Sequence, residues 1–188
     1  MSNALVVVDV QLDFCEGGSL GVDGGNLVAS KIASQLTDRR GGYDHVVATR
    51  DHHIDPGSHV SDEPDFVDSW PPHCVVGTPG QQLHPDLTGI DFDAIFDKGP
   101  YEAAYSGFEG SIGGDEDGER LADWLRSRGV TRVDVVGIAT DFCVRATALD
   151  SAREGFTTGV FAQLTAAVSP DRVPEVFDEL RAAGVSIH

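Results

Sequence analysis

Short apolar runs alternate along the chain with segments of helical periodicity. Residues 5–8 (LVVV) are four aliphatic positions in succession, the mark of a strand buried on both faces. Val28, Ile32, Gln35 and Leu36 then fall on one face of a helix. Further strands are expected at residues 46–48 (VVA), 94–96 (AIF), 133–138 (VDVVGI) and 158–161 (TGVF). Helices are expected at residues 119–128, at 142–154, where Gly155 ends the pattern, and at 172–183. The last carries Val173, Val176, Phe177 and Leu180 at helical spacing and stops at Gly184. Strand and helix in alternation predict an α/β fold, with a mostly parallel central sheet covered by helices on both faces.

The pattern shows no internal repeat and no linker, so residues 1–188 are expected to form one domain. Residues 110–118 (GSIGGDEDG) have the composition of a surface loop. Residues 51–87 hold most of the chain's nine prolines and little periodicity. A stretch that long inside a compact domain is usually functional or disordered, and its Trp, Phe and His content favours function.

Composition narrows the classes. A net charge of −18 argues against binding to nucleic acid or to an anionic membrane. The chain opens Met-Ser-Asn-Ala without a basic segment, and its apolar runs are about five residues long, far short of a membrane span. A cytoplasmic protein is therefore expected. Of its 13 basic residues only Lys31 and Lys98 are lysines, so each lysine invites a reason. Cys15, Cys74 and Cys143 are widely spaced and odd in number, which is no disulfide framework.

The reactive residues fall where expected strands end. Asp9 follows the first, Asp51 closes the second after Thr49-Arg50, Lys98 follows the third, and Cys143 comes five residues after the fourth. Open parallel sheets bind ligands at the carboxyl ends of their strands. Four such side chains therefore converge on one edge. In GIATDFCVRATALDSAREG, Thr140 or Asp141 can cap a helix whose first turn carries Cys143, a position that favours a thiolate. Asp9 can take the thiol proton as a general base, and Lys98 can hold that aspartate in place. The plainer readings are a buried inert cysteine, a strand-end cap and a surface cation.

ATRDHHIDPGSH, residues 48–59, raises a second possibility. Asp51 and His53 point the same way in an extended segment, and His52 points away. His59 follows a turn, and His73 arrives in SWPPHCV beside Cys74, which ranks below the histidines as a ligand. Carboxylate and imidazole donors suit one divalent Zn, Fe or Mn ion. The spacing matches no zinc-finger template, so a polar loop stays open as the alternative. The run CEGGSLGVDGG lacks the tight strand-to-helix turn of a phosphate loop and carries Glu16 and Asp23, which would repel a phosphate.

VVVDVQLDFCEGGSL, ATRDHHIDPGSH, SWPPHCVVGTPG, KGPYEAAYSGFEG and GIATDFCVRATALDSA together resemble the motifs of the nicotinamidases, within the isochorismatase-like cysteine hydrolases. The resemblance spans nearly the whole chain, in order and spacing. It implies a three-layer α/β sandwich and a catalytic triad of Asp9, Lys98 and Cys143. It also implies a metal held by Asp51, His53 and His73, with His59 a ligand in part of the family. A cis peptide would precede Ala139, and the amides of Ala139 and Cys143 would form an oxyanion hole. Phe14, Trp70 and Tyr105 would wall a pocket for a small aromatic amide. The implied activity is hydrolysis of nicotinamide to nicotinate and ammonia through a thioester, with pyrazinamide as a second substrate. Two features depart from the pattern: Phe142 stands where some relatives have His or Tyr, and the 110–118 loop is slightly longer. An amidohydrolase of carbamoyl or ureido compounds would share the triad but is not expected to carry the Asp51, His53 and His73 set. A metal-binding redox sensor would need neither Asp9 nor Lys98. The chain is compatible with a homo-oligomer.

So many acids with so few lysines read as a salt-adapted surface, because screening relieves their mutual repulsion. The unfolding temperature is expected to rise between low and molar salt; a flat or falling trend in a thermal melt would contradict that reading.

Overall fold

The computed structural model describes residues 2–37 and 39–188. Among these, seven strands form one sheet in the order β4-β3-β2-β1-β5-β6-β7. They are β1 (Ser2–Val8), β2 (His45–Asp51), β3 (Ala94–Lys98), β4 (Ser111–Ile112), β5 (Val130–Ile138), β6 (Thr157–Ala166) and β7 (Ser186–Ile187). All pairs are parallel except β3 with β4. The helices are α1 (Gly25–Thr37), α2 (Leu121–Ser127), α3 (Arg145–Arg153) and α4 (Val173–Ala182).

The aliphatic run in β1 explains why this strand sits mid-sheet. Successive side chains point to opposite faces. Ala4, Val6 and Val8 enter one core with Trp124, Leu125, Val144, Ala148 and Leu180, contributed by α2, α3, α4 and the turn before α3. Leu5 and Val7 enter the other core with Val28, Ile32 and Leu36 of α1. Each valine so buried contributes roughly 1.5–3 kcal/mol, which a strand covered on only one face would forgo at alternate positions. The result is the expected three-layer α/β sandwich.

The elements differ from expectation where pattern alone is weak. The two-residue strands β4 and β7 are too short to show periodicity, and β4 lies inside the expected 110–118 loop. The expected helix at 142–154 is instead a π turn over Thr140–Val144 followed by α3. The expected helix at 172–183 starts as a 3-10 turn (Pro170–Arg172) and continues as α4. The segment 51–87 is held by local pairing, with bridges His53 to Val75 and Val60 to Trp70.

Chain direction across the sheet reverses between β1 and β5, since β2 and β3 lie to one side and β6 and β7 to the other. A crevice opens at the carboxyl ends of strands flanking such a reversal. Here the two strands approach unusually closely. Gly137 of β5 pairs with Val8 and has φ 119°, and a Cβ there would lie 2.1 Å from the Val8 carbonyl oxygen. Gly137→Ala is therefore expected to destabilise the fold by more than about 2 kcal/mol in urea unfolding. Unchanged stability would mean that the strands can separate freely at this point.

Candidate active site

The sheet order places β3, β2, β1 and β5 side by side, so their carboxyl ends deliver Lys98, Asp51, Asp9 and Cys143 to one edge. Asp51 and Lys98 are register partners. Lys98 is completely buried, and its Nζ lies 2.9 Å from Asp9 Oδ2. The same ammonium donates to Asp51 Oδ1, to the Ala104 carbonyl at 3.0 Å and to Cys143 Sγ at 3.8 Å. Asp9 itself has φ 50°, a left-handed conformation that aspartate tolerates better than most residues.

Charge and burial set the protonation of this group. Burial would raise the Asp51 carboxyl, but Lys98, with His53 and His73 close by, holds it well below the ordinary carboxylate range. Asp9 is the contrasting case: burial, with Asp51 adding to it, keeps its carboxyl above that range despite Lys98. Burial works against the Lys98 ammonium, yet Asp51 and Asp9 hold it well above its ordinary value. Burial also pushes the Cys143 thiol well above its ordinary value, with Asp9 and Asp51 acting in the same direction. The helix-start argument for a resting thiolate is thus outweighed. A cysteine held as a thiol there would need a base, and Asp9 is the nearby carboxylate whose proton affinity is raised toward that task.

The expected helix cap is also replaced. Neither Thr140 nor Asp141 caps the turn; Ala139 occupies the N-cap position without a side-chain bond. Asp141 instead accepts the amides of Val168 and Ser169 at 2.9 and 3.0 Å, tying the nucleophile turn to the segment after β6. The peptide between Ile138 and Ala139 is cis. The Phe142 and Val144 amides both donate to the Ala139 carbonyl, at 3.1 and 3.0 Å, and the Cys143 amide between them is not part of that pair.

Beside this group, His53, His59 and His73 each offer a ring nitrogen within 4.8 Å of the others, and all three are buried. Asp51 Oδ2 lies 3.6 Å from His53 Nε2 and 3.7 Å from His73 Nε2. His53 Nδ1 donates to the Gly99 carbonyl and His73 Nδ1 to the Pro71 carbonyl, both at 2.7 Å, which leaves each Nε2 lone pair free. His53 Nε2 and His59 Nδ1 are buried without a hydrogen-bond partner. Burial, together with His53 and His73, pushes His59 down to about 4, so it is neutral at neutral pH. Buried ring nitrogens without a partner, clustered next to a carboxylate, fit a divalent metal ion. His52 lies apart, bonded to Gln81 at 2.8 Å, and Cys74 is outside the cluster.

Cys143 and His73 open onto a pocket walled by Phe14, Trp70 and Tyr105, with Phe142 and Val168 completing it. The space is about 450 Å³ with its mouth included, at the small end for ligand pockets. Trp70 Nε1 donates to the Tyr105 hydroxyl at 3.2 Å, and Phe142 packs edge-on to Trp70. Three contributors escaped the sequence reading: Thr49, Gln11 and Val168. Thr49 donates to Asp9 Oδ1 at 2.6 Å; it lies two positions before Asp51 on the same strand face, and that alternation was the available signal. Gln11 bonds both the amide and the carbonyl of Asp51. Nothing local in the sequence marks Val168.

The isochorismatase domain family matches this chain over residues 3–187. The chain is 55% identical over 184 residues to the nicotinamidase/pyrazinamidase of Mycobacterium tuberculosis, covering 98% of this chain and 97% of that one. The pyrazinamidase of Pyrococcus horikoshii in complex with zinc superposes with a TM-score of 0.79 at 34% identity, over 100% of this chain and 99% of that one. An L. infantum protein in complex with nicotinate superposes with a TM-score of 0.84 at 34% identity, over 100% and 92%.

The histidine cluster makes metal removal measurable. Chelation should lower the thermal midpoint by several degrees, and added Zn²⁺ should restore it. After dialysis, His53→Ala and His73→Ala should retain far less metal than wild type by atomic absorption, whereas His52→Ala should retain as much. Equal retention by all three variants would move the metal elsewhere.

Proposed function

The chain belongs to the isochorismatase family, and on that premise we propose that it hydrolyses nicotinamide to nicotinate and ammonia, and pyrazinamide to pyrazinoate. The observation that carries this reading is the buried contact of Lys98 with Asp9 and Cys143, directly beside three clustered, buried histidines and an aromatic-walled pocket.

In the proposed reaction, Phe14, Trp70 and Tyr105 hold a flat ring, and a small aromatic amide is the only partner required. Asp51, His53, His59 and His73 would hold one divalent ion, Zn, Fe or Mn, which would supply Lewis-acid chemistry beside the pocket. Asp9 accepts the proton of Cys143, and Sγ attacks the carboxamide carbon. Lys98 steadies the charge as the proton moves. The amides of Ala139 and Cys143 bind the tetrahedral oxyanion, a contribution of roughly 3–4 kcal/mol for one such donor. Protonated Asp9 then gives its proton to the departing nitrogen; the C–N bond breaks and a thioester remains on Cys143. Asp9 next takes a proton from water as that water attacks the thioester. The C–S bond breaks, nicotinate leaves, and the proton returns to Sγ.

The aspartate and histidine set favours this reading over a carbamoyl or ureido amidohydrolase. We further take residues 1–188 as one domain and the cytoplasm as its location; no helix among the described residues is long and apolar enough to cross a membrane.

Ammonia release from nicotinamide by metal-replete protein is the direct test. Cys143→Ala should lower it by at least about a thousandfold. Release that survives the substitution would remove the cysteine mechanism. An inactive wild type would remove the substrate, and carbamoyl and ureido amides would be assayed next.

A further inference from the structure

The oxygens of the Asp9 carboxylate have different surroundings. Oδ1 accepts the Thr49 hydroxyl at 2.6 Å. Oδ2 lies 2.9 Å from Lys98 Nζ in a salt bridge and has no other partner, although it is buried. Thr49 also binds the Asp9 backbone, since its carbonyl accepts the Asp9 amide at 3.2 Å. The threonine is itself completely buried and pairs with Val8 of β1 on one side and Phe96 of β3 on the other. A carboxylate that rotates about its Cβ–Cγ bond would otherwise be free to turn either oxygen toward the thiol.

We propose that Thr49 is a positioning residue for the amide hydrolysis, fixing the Asp9 carboxylate so that Oδ2 alone exchanges the proton with Cys143 and the leaving nitrogen. The inference rests on the amidohydrolase reading above. With Oδ1 occupied by the hydroxyl, Oδ2 is the oxygen beside the ammonium, which in turn donates to Cys143 Sγ. In the first half-reaction the S–H bond breaks and an O–H bond forms at Oδ2. In the second that O–H bond breaks as the nitrogen takes the proton. Thr49 gains and loses no proton; its hydroxyl remains donated to Oδ1 throughout.

A purely structural role makes a contrary prediction. The Thr49 methyl packs hard against Gly107, where a Cβ would come within 2.7 Å of Thr49 Cγ2. If packing alone mattered, Thr49→Val would be mild, while Thr49→Ser and Thr49→Ala would suffer alike. The hydrogen bond predicts a different order. Thr49→Val should lower kcat for nicotinamide about 10- to 100-fold with KM within about twofold, and Thr49→Ser should stay close to wild type. Thr49→Ser and Thr49→Ala both lose the methyl and differ only by the hydroxyl. Their kcat ratio, expected to be about tenfold or more, reads the hydrogen bond even if the valine variant does not fold. Equal kcat for Ser and Ala, or a loss confined to KM, would overturn the proposal. Wild-type protein that releases no ammonia would overturn the amidohydrolase reading and this inference with it; active wild type with indifferent variants would overturn only the role of Thr49.

Discussion

A single ammonium holds the centre of this molecule together. Lys98 is fully buried between the carboxylates of Asp9 and Asp51. Removing a charge from water is costly, and only close, hydrogen-bonded counter-charges offset that cost. Each partner therefore depends on the others. Without Lys98 two carboxylates would be forced together in a dry site, and without either carboxylate the ammonium would lose a counter-charge. The arrangement joins two pieces of chemistry. Asp9 faces the thiol, while Asp51 faces the histidines. A structure in which Cys143 and the carboxylate beside the histidines share one cation cannot move one without disturbing the other.

The sheet makes that sharing feasible. β3, β2 and β1 are neighbours, and the pairing of Asp51 with Lys98 sets the two charges side by side with no loop to wander. The nucleophile arrives from the other side of the reversal, on a π turn after β5. Gly137 lets the two central strands come close just before that turn. Side chains on rigid strand ends retain their separations better than side chains on loops, which matters where a proton must pass between fixed atoms. The histidines come from a long, proline-rich segment instead. Its order depends on tertiary ties such as the Cys74 amide donated to Asp13 at 2.7 Å.

Much of this was legible before any coordinates. The LVVV run of β1 and the spacing of Val28, Ile32 and Leu36 signal elements because burial acts on a period of two or 3.6 residues. Asp9, Asp51, Lys98 and Cys143 were legible as a group because each follows an apolar run. Less legible were β4 and β7, whose two residues carry no period, and the π turn, which uses the same residues a regular helix would. Asp141 shows the limit well. Its sequence position suits a helix cap, but its carboxylate finds two amides 27 and 28 residues away.

By itself, then, the sequence determined the layers of the fold, the strand ends that carry reactive groups, and the candidate metal donors, since these follow from local periodicity and residue chemistry. Only the tertiary structure decided how those groups bear on one another. Sheet order put Lys98 between two carboxylates, burial opposed the thiolate expected at Cys143, and strand register set Thr49 against Asp9. The reason is that charge interaction and desolvation depend on distance and dielectric through space, and residues 40 or more positions apart acquire both only when the chain has packed.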